Sequence, residues 1–188
     1  MSYEELVANF TEPQTRFEVA AQLRAALPES CDALLAGLKE GPPSVRRWCA
    51  VVLDHAPHDE RIEEALREAS KDRNRKVRRA ALHALACAHC KPDGCLTTDG
   101  VGFLVDGLLS DRSLAVRRTC AGNLMWGQNG RTDRITNAFR QVLATDTDEV
   151  LRKRAAVYLA WCELPRDDRV FSEWASEFGE RVTQLIEA

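Results

Sequence analysis

The sequence predicts an all-α protein, a right-handed α-solenoid of about five helical hairpins followed by a C-terminal capping helix. The first observation is composition. Of 188 residues, 45% are hydrophobic and 29% are charged, which is typical of a folded chain, and aromatic residues make up 6%. The second is that alanine, leucine and arginine, all good helix formers, are abundant. The third is an internal repeat with a period of 30 to 39 residues, which is typical of a solenoid.

The repeat is visible as four segments that align without gaps. They begin at Val45, Val77, Val116 and Leu151, which are 32, 39 and 35 residues apart. A fifth, weaker copy begins at Thr15, 30 residues before the first. The alternative architecture, an ordinary globular bundle, would not explain four gapless copies.

Each copy has the periodicity of a helix, as Val45, Cys49 and Leu53 show at positions i, i+4 and i+8. A second amphipathic segment precedes each copy, for example the one that carries Ile62 and Leu66. Neither helix can bury its apolar stripe alone, so each hairpin must stack on its neighbours. We therefore predict a single domain over residues 1–188, with repeats at 2–27, 30–55, 59–90, 99–126 and 131–163 and a capping helix at 168–187.

An acidic residue stands five positions before the first residue of each gapless copy; these are Glu40, Asp72, Asp111 and Asp146. The full pattern, an acid followed by Val-Arg-x-x-Ala-x-x-x-Leu, resembles the HEAT repeat, particularly the short bacterial kind seen in phycobilisome-lyase-like proteins. The resemblance covers roughly residues 2–165. It implies a rigid surface that holds partners on the concave face formed by the second helices. A minority of such arrays act on DNA and resemble alkylpurine DNA glycosylases, and the fold alone does not choose between these roles.

One column of the repeat holds an arginine six residues after each acid; its members are Arg46, Arg78, Arg117 and Arg152. An acid in one turn and an arginine at the start of a helix can form a charge-assisted ladder along the stack. We therefore interpret this column as structural.

The next column holds a second set of cations, Arg47, Arg79, Arg118 and Lys153, with no acid at a recurring offset. On the same helical face, Trp126 and Trp161 occupy matching positions in adjacent repeats. Arginine and tryptophan are enriched in binding hot spots, so these six residues form the predicted partner-binding surface. The alternative is that the tryptophans cover the edge of the core.

We expect a non-enzymatic interaction or scaffold module with a protein partner. No phosphate-binding, metalloprotease or nucleophile-elbow motif is present in the sequence, and no carboxylate pair suggests acid–base catalysis. A nucleic-acid binder or DNA-acting enzyme is the alternative. The net charge of −3, from 26 basic and 29 acidic residues, argues against it without excluding a local basic face.

Three of the seven cysteines form a cluster, Cys87-x-x-Cys90-x4-Cys95, at the end of a predicted helix. This spacing suits tetrahedral zinc, and His55, which aligns with Cys87 in the preceding repeat, is the favoured fourth ligand. His58 and His83 are the less favoured candidates. Such a site would be structural, since four protein ligands leave no open position. Two alternatives remain: the thiols only pack, or a pair of them is redox-sensitive.

The sequence shows no signal peptide and no apolar stretch long enough for a membrane span. Cysteines without a secretion signal favour a reducing compartment. We expect a cytoplasmic protein with no membrane contact.

Overall fold

The computed structural model describes residues 1–87, 90, 99–126, 132–164 and 171–188. Within these ranges every regular element is helical, so the all-α class is confirmed for this part of the chain. The elements are α1 (Tyr3–Ala8), a 3₁₀ turn (Asn9–Thr11), α2 (Arg16–Ala25), α3 (Cys31–Glu40), α4 (Pro43–Leu53), α5 (Glu60–Ala69), α6 (Arg75–Ala86), α7 (Gly100–Ser110), α8 (Leu114–Trp126), α9 (Asp133–Thr145), α10 (Glu149–Glu163) and α11 (Phe171–Glu187). Each predicted repeat contains two α-helices, and α11 lies within the range predicted for the capping helix.

Local sequence signals determine where the helices begin. Ser2 and Glu5 form a reciprocal capping box at the start of α1. The side chains of Asp59, Asn74 and Thr132 accept hydrogen bonds from backbone N–H groups in the first turns of α5, α6 and α9. These bonds satisfy donors that the helix itself leaves unpaired.

Three of the four recurring acids, Asp72, Asp111 and Asp146, form the turn between the two helices of their repeats. The Asp72 carboxylate accepts from the N–H of Asn74 at 2.6 Å, and Asp146 accepts from the N–H of Asp148 at 2.8 Å. Such a bond two residues along the chain is an Asx turn, in which the side-chain oxygen takes the place of a backbone acceptor. The three aspartates suit this turn because it needs a short side chain with an acceptor.

The acid–arginine ladder is confirmed at two positions. The Arg46 guanidinium donates to both carboxylate oxygens of Asp72, at 2.7 and 3.0 Å. Arg117 forms the equivalent ion pair with Asp146 at 3.4 Å. In each case the arginine of one repeat contacts the acid of the next repeat. The turn of one hairpin is thereby joined to the second helix of the hairpin before it.

The described chain comprises two compact units, and the first spans Met1–Leu104. Helix α4 is central to it, because α4 packs against both α3 and α6. Fully buried side chains of this core include Phe10, Leu23, Leu34, Leu53 and Leu85. Each such side chain contributes about 1.5–3 kcal/mol relative to an exposed one.

The second unit spans Val105–Ala188, and α10 packs against α8, α9 and α11. The Phe139 and Tyr158 rings lie 4.5 Å apart, centroid to centroid, between α9 and α10. The indole N–H of Trp174 on α11 donates to the Leu164 carbonyl at 3.1 Å, which ties the last helix to the end of α10. In neither unit is any described helix both long enough and apolar enough to cross a membrane.

Candidate metal centre and candidate partner surface

The end of α6 carries a group of soft metal ligands. The N–H of Cys87 donates to the His83 carbonyl at 2.8 Å, so Cys87 follows His83 by one helical turn. The Cys87 and Cys90 sulfurs lie 3.2 Å apart, and the Cys90 sulfur lies 3.6 Å from His83 Nε2. The ligand atoms of these three residues all lie within 4.8 Å of one another. Together they could hold a metal ion.

Two consecutive residues after α4 reach the same group. Asp54 is only 4% exposed, and its Oδ2 lies 3.4 Å from His83 Nε2. The Nδ1 atom of His55 lies 3.1 Å from the backbone carbonyl oxygen of Cys90, so the tautomer with a proton on Nδ1 donates to that carbonyl. The end of α4 therefore contributes a carboxylate beside the imidazole and a ring that binds the backbone of Cys90.

The surroundings keep the Cys90 thiol protonated. Burial raises the pKa of Cys90, and its hydrogen bonds with Cys87 and with the Asp54 carboxylate raise it further. A thiolate here needs a nearby positive charge, which a bound divalent cation supplies. Without such a charge, the Cys90 thiol is a weak nucleophile.

The structure brings together only part of the predicted metal set. Cys87 and Cys90 lie beside His83, one of the less favoured histidines, whereas the favoured His55 contacts the backbone of Cys90. His58 lines an open groove between α3 and α5. Cys95 lies outside the described residues.

Asp54 was not among the predicted ligands. An acid directly before the favoured histidine was a usable signal. The signal for His83 was its spacing: His83, Cys87 and Cys90 stand at i, i+4 and i+7.

The first unit also exposes an aromatic and cationic surface on its second helices. Phe17 on α2 is 77% exposed, and its ring meets the Trp48 ring edge-on at 5.1 Å. The Arg47 guanidinium lies over the Trp48 ring, 5.2 Å from its centroid. Arg79 on α6 is exposed. Trp48 itself is buried, at 7% exposed, and supports the side chains of Phe17 and Arg47. We call Phe17, Arg47, Trp48 and Arg79 the α2–α4–α6 surface.

The cations on and beside this surface lie close enough to repel one another. Burial lowers the pKa of Arg47, and the positive charges of Arg79 and Arg16 lower it further. Arg16 is held by the carbonyls of Phe10 and Thr11 at the end of the 3₁₀ turn. Within the described residues neither Arg47 nor Arg79 has a carboxylate within ion-pair distance. No carboxylate of the described residues therefore neutralises the positive charge of this surface.

The same column is neutralised in the second unit. Arg118 donates to both carboxylate oxygens of Asp148, at 3.1 and 2.6 Å, and Lys153 pairs with Glu149 at 2.7 Å. Arg118 and Lys153 thus differ from Arg47 and Arg79, which form no such pair within the described residues. Asp148 stands two residues after the recurring acid, where Asn74 and Ser113 are uncharged.

Of the two predicted tryptophans, only Trp161 has a described side chain. Trp161 is 39% exposed and packs at 6.1 Å against Tyr158. The side chain of Trp126 lies outside the described part of the structure. Phe17 was not predicted, although it occupies the Arg47 position of the weak first copy.

Comparison with known proteins gives a fold likeness alone. No protein-family model matches the sequence, and no curated protein matches it. Among solved structures, the chain is similar to a crystal structure of an engineered protein, a Northeast Structural Genomics Consortium target, with 22% sequence identity and a TM-score of 0.50. The match covers 100% of this chain and 97% of that one.

Proposed function

We propose that this chain is a HEAT-type α-solenoid that acts as a non-enzymatic interaction module for a protein partner. The recurring helix pair and the ladder of Arg46–Asp72 and Arg117–Asp146 support the repeat assignment. The right-handed stacking of hairpins and membership of the short bacterial HEAT group belong to this proposal. So does a cytoplasmic location.

The observation that carries the function is the α2–α4–α6 surface. Phe17 exposes most of its ring, and two arginines that have no acidic partner among the described residues lie on the neighbouring helices. A single exposed apolar residue is common on monomers, but an aromatic beside uncompensated arginines has the composition of an interaction hot spot. The surface fits an acidic segment that also carries an apolar side chain.

Charge complementarity favours that partner. An acidic segment relieves the repulsion among Arg16, Arg47 and Arg79, and it is steered to the surface during encounter. The rest of the chain is net acidic, so an extended nucleic-acid backbone would meet repulsion outside this surface. The experiment must therefore distinguish binding of an acidic protein segment from binding of nucleic acid.

The test is fluorescence anisotropy with a labelled peptide of glutamates around one tryptophan, and in parallel with a labelled DNA duplex. We expect Arg79→Gln and Phe17→Ala each to weaken peptide binding about tenfold. The matched control is Arg140→Gln, an exposed helical arginine of α9, which should change binding less than about twofold. Equal losses in the control would refute this surface. Tighter, strongly salt-dependent binding of the duplex would favour the nucleic-acid alternative.

We further propose that the thiol and imidazole group at the end of α6 binds one structural zinc. Cys87, Cys90 and His83 offer the sulfur and nitrogen ligands that zinc prefers. The ion would fix the chain that follows α6 and would stabilise the fold, since structural zinc sites contribute folding free energy.

The test of the zinc proposal is elemental analysis of protein purified without a metal-affinity tag. We expect one zinc per chain, and a melting temperature that falls when a chelator removes it. A zinc content near zero in reducing buffer, with a melt unchanged by the chelator, would refute the proposal.

A further inference from the structure

We propose that Asp54 is the fourth zinc ligand, so that the ion joins the end of α4 to the end of α6. This inference rests on the proposed zinc site and names its complete donor set: two sulfurs, one imidazole nitrogen and one carboxylate oxygen. Cys95 and His55 are then not ligands.

Three of the six ligand–ligand distances can be compared with those of a tetrahedron. Zinc binds sulfur at about 2.3 Å and nitrogen or oxygen at about 2.0–2.2 Å. Tetrahedral angles then separate two sulfurs by about 3.8 Å, a sulfur and a nitrogen by about 3.6 Å, and a nitrogen and an oxygen by about 3.4 Å. The corresponding separations here are 3.2 Å between Cys87 and Cys90, 3.6 Å between Cys90 and His83, and 3.4 Å between His83 and Asp54. Two of these three edges already match, and the sulfurs need to part by about 0.6 Å. The Asp54 carboxylate lies outside the group whose ligand atoms are all within 4.8 Å of one another, so it must also move towards the cysteine sulfurs when the ion binds.

The ring atom that Asp54 approaches distinguishes a ligand from a positioning residue. A carboxylate that orients a metal-bound histidine accepts from the ring nitrogen that does not bind the metal. Here the Asp54 oxygen and the Cys90 sulfur both approach the same atom, His83 Nε2. Asp54 therefore lies on the metal side of the imidazole, where a ligand lies.

The electrostatics of the place also favour a cation. Asp54 is the residue that follows the last turn of α4, where the helix dipole is negative, and it is 4% exposed. Two thiolates add negative charge at the same point. A divalent cation offsets most of this charge and leaves the group with a net charge of about −1.

His55 has a supporting role in this arrangement. Its Nδ1 donates to the Cys90 carbonyl, and it follows Asp54 directly in the chain. The bond holds the backbone of one ligand beside the helix end that provides another. His55 is thus a positioning residue, and outer groups of this kind typically change metal affinity about 10–100-fold.

X-ray absorption of the zinc-loaded wild-type chain, compared with Cys95→Ser, tests the donor set directly. We expect two sulfurs and two nitrogen or oxygen neighbours in both proteins. Three sulfurs in the wild type, falling to two in Cys95→Ser, would overturn Asp54 as the ligand while leaving the zinc proposal intact. A chain that takes up no zinc would refute the zinc proposal itself.

Competition with a chromophoric zinc chelator gives a second readout. Asp54→Asn, which keeps the shape of the side chain, should weaken zinc binding by at least about tenfold. The control Asp106→Asn, at an exposed carboxylate of α7, should leave zinc affinity within about twofold. Unchanged affinity in a folded Asp54→Asn protein, checked by circular dichroism, would overturn the assignment. If that variant does not fold, the number of sulfur neighbours that X-ray absorption finds around the zinc in the wild type decides whether Asp54 is the ligand.

Discussion

The ion pair between Arg46 and Asp72 should contribute far more to stability than the ion pairs on the surface. The side chains of Arg46 and Asp72 are 21% and 12% exposed, and three donors meet the Asp72 carboxylate: two guanidinium N–H groups and the N–H of Asn74. Asp72→Asn removes the charge and replaces one acceptor oxygen by a donor. Hydrogen bonds to charged groups contribute about 1.5–3 kcal/mol, and Arg46 would lose its counter-charge in a partly buried place. We expect a loss of about 2 kcal/mol in the free energy of unfolding.

A matched control makes this figure testable. Asp32 pairs with Arg61 at 2.9 Å, but their side chains are 84% and 64% exposed. Asp32→Asn removes the same charge from a pair that water screens, so its cost should be less than about 1 kcal/mol. Urea unfolding followed by far-UV circular dichroism measures both. Equal losses in the two variants would contradict the role we give to the ladder.

The pH dependence of the difference is a further check. Burial alone would raise the pKa of Asp72, but the hydrogen bonds from Arg46 and from the Asn74 N–H, with the nearby positive charges, hold that pKa below its usual range. A carboxyl with a lowered pKa in the folded state contributes stability that is present above its unfolded pKa of about 3.9 and is lost as the pH falls through the folded value. The gap between wild type and Asp72→Asn should therefore be constant near neutral pH and shrink below about pH 4. A gap that grows in acid would contradict this assignment.

Three other outcomes follow from the packing and the thiols. A methyl group added at Gly37 would lie 2.5 and 2.8 Å from buried side-chain atoms of α1 and α4, so Gly37→Ala should lower the melting temperature. At Gly122 the nearest atom is 3.8 Å away, so Gly122→Ala should raise the melting temperature by about 1–4 °C. Melting temperatures that change in the same direction in both variants would contradict this reasoning. Burial raises the pKa of Cys49 and Cys120 to about 12, so both should resist a thiol reagent at about pH 8 until the chain unfolds, as mass spectrometry of labelled peptides would show. His55→Ala should keep one zinc per chain but weaken its binding about 10–100-fold in the chelator competition, and complete loss of zinc would instead make His55 a ligand.

The features that recur in the sequence were predictable, because the same residue types stand at the same positions wherever the same contact is made. The helix pairs and the acid–arginine ladder belong to this class. The recurrence of acid and arginine at fixed offsets predicted a ladder, and the structure shows that one of its contacts joins Arg46 to Asp72, 26 residues further along the chain.

The features that occur once were harder to predict. Arg118 is paired because Asp148 replaces an uncharged capping residue in one repeat, and a column-by-column comparison averages over such a change. The histidine beside the Cys90 sulfur is His83 and not the favoured His55, for a similar reason. Alignment put His55 level with Cys87, but side-chain direction depends on the local end of α4, where His55 meets a backbone carbonyl and Asp54 takes the inner position. Phe17 was not predicted because it is an aromatic residue at the position that holds a cation in the other copies.

The most direct test of the proposed interaction surface is to map it by NMR in the folded chain. Amide chemical shifts would be followed while the glutamate-rich peptide with one tryptophan is added, and a peptide with glutamine at each glutamate position serves as the control. We expect little effect from the glutamine peptide and no shifts in α9 and α10. With the glutamate peptide, the largest shifts should cluster at the amides of the α2–α4–α6 surface, which are those of Phe17, Arg47, Trp48 and Arg79. Shifts centred on the second unit, or equal shifts with both peptides, would contradict it.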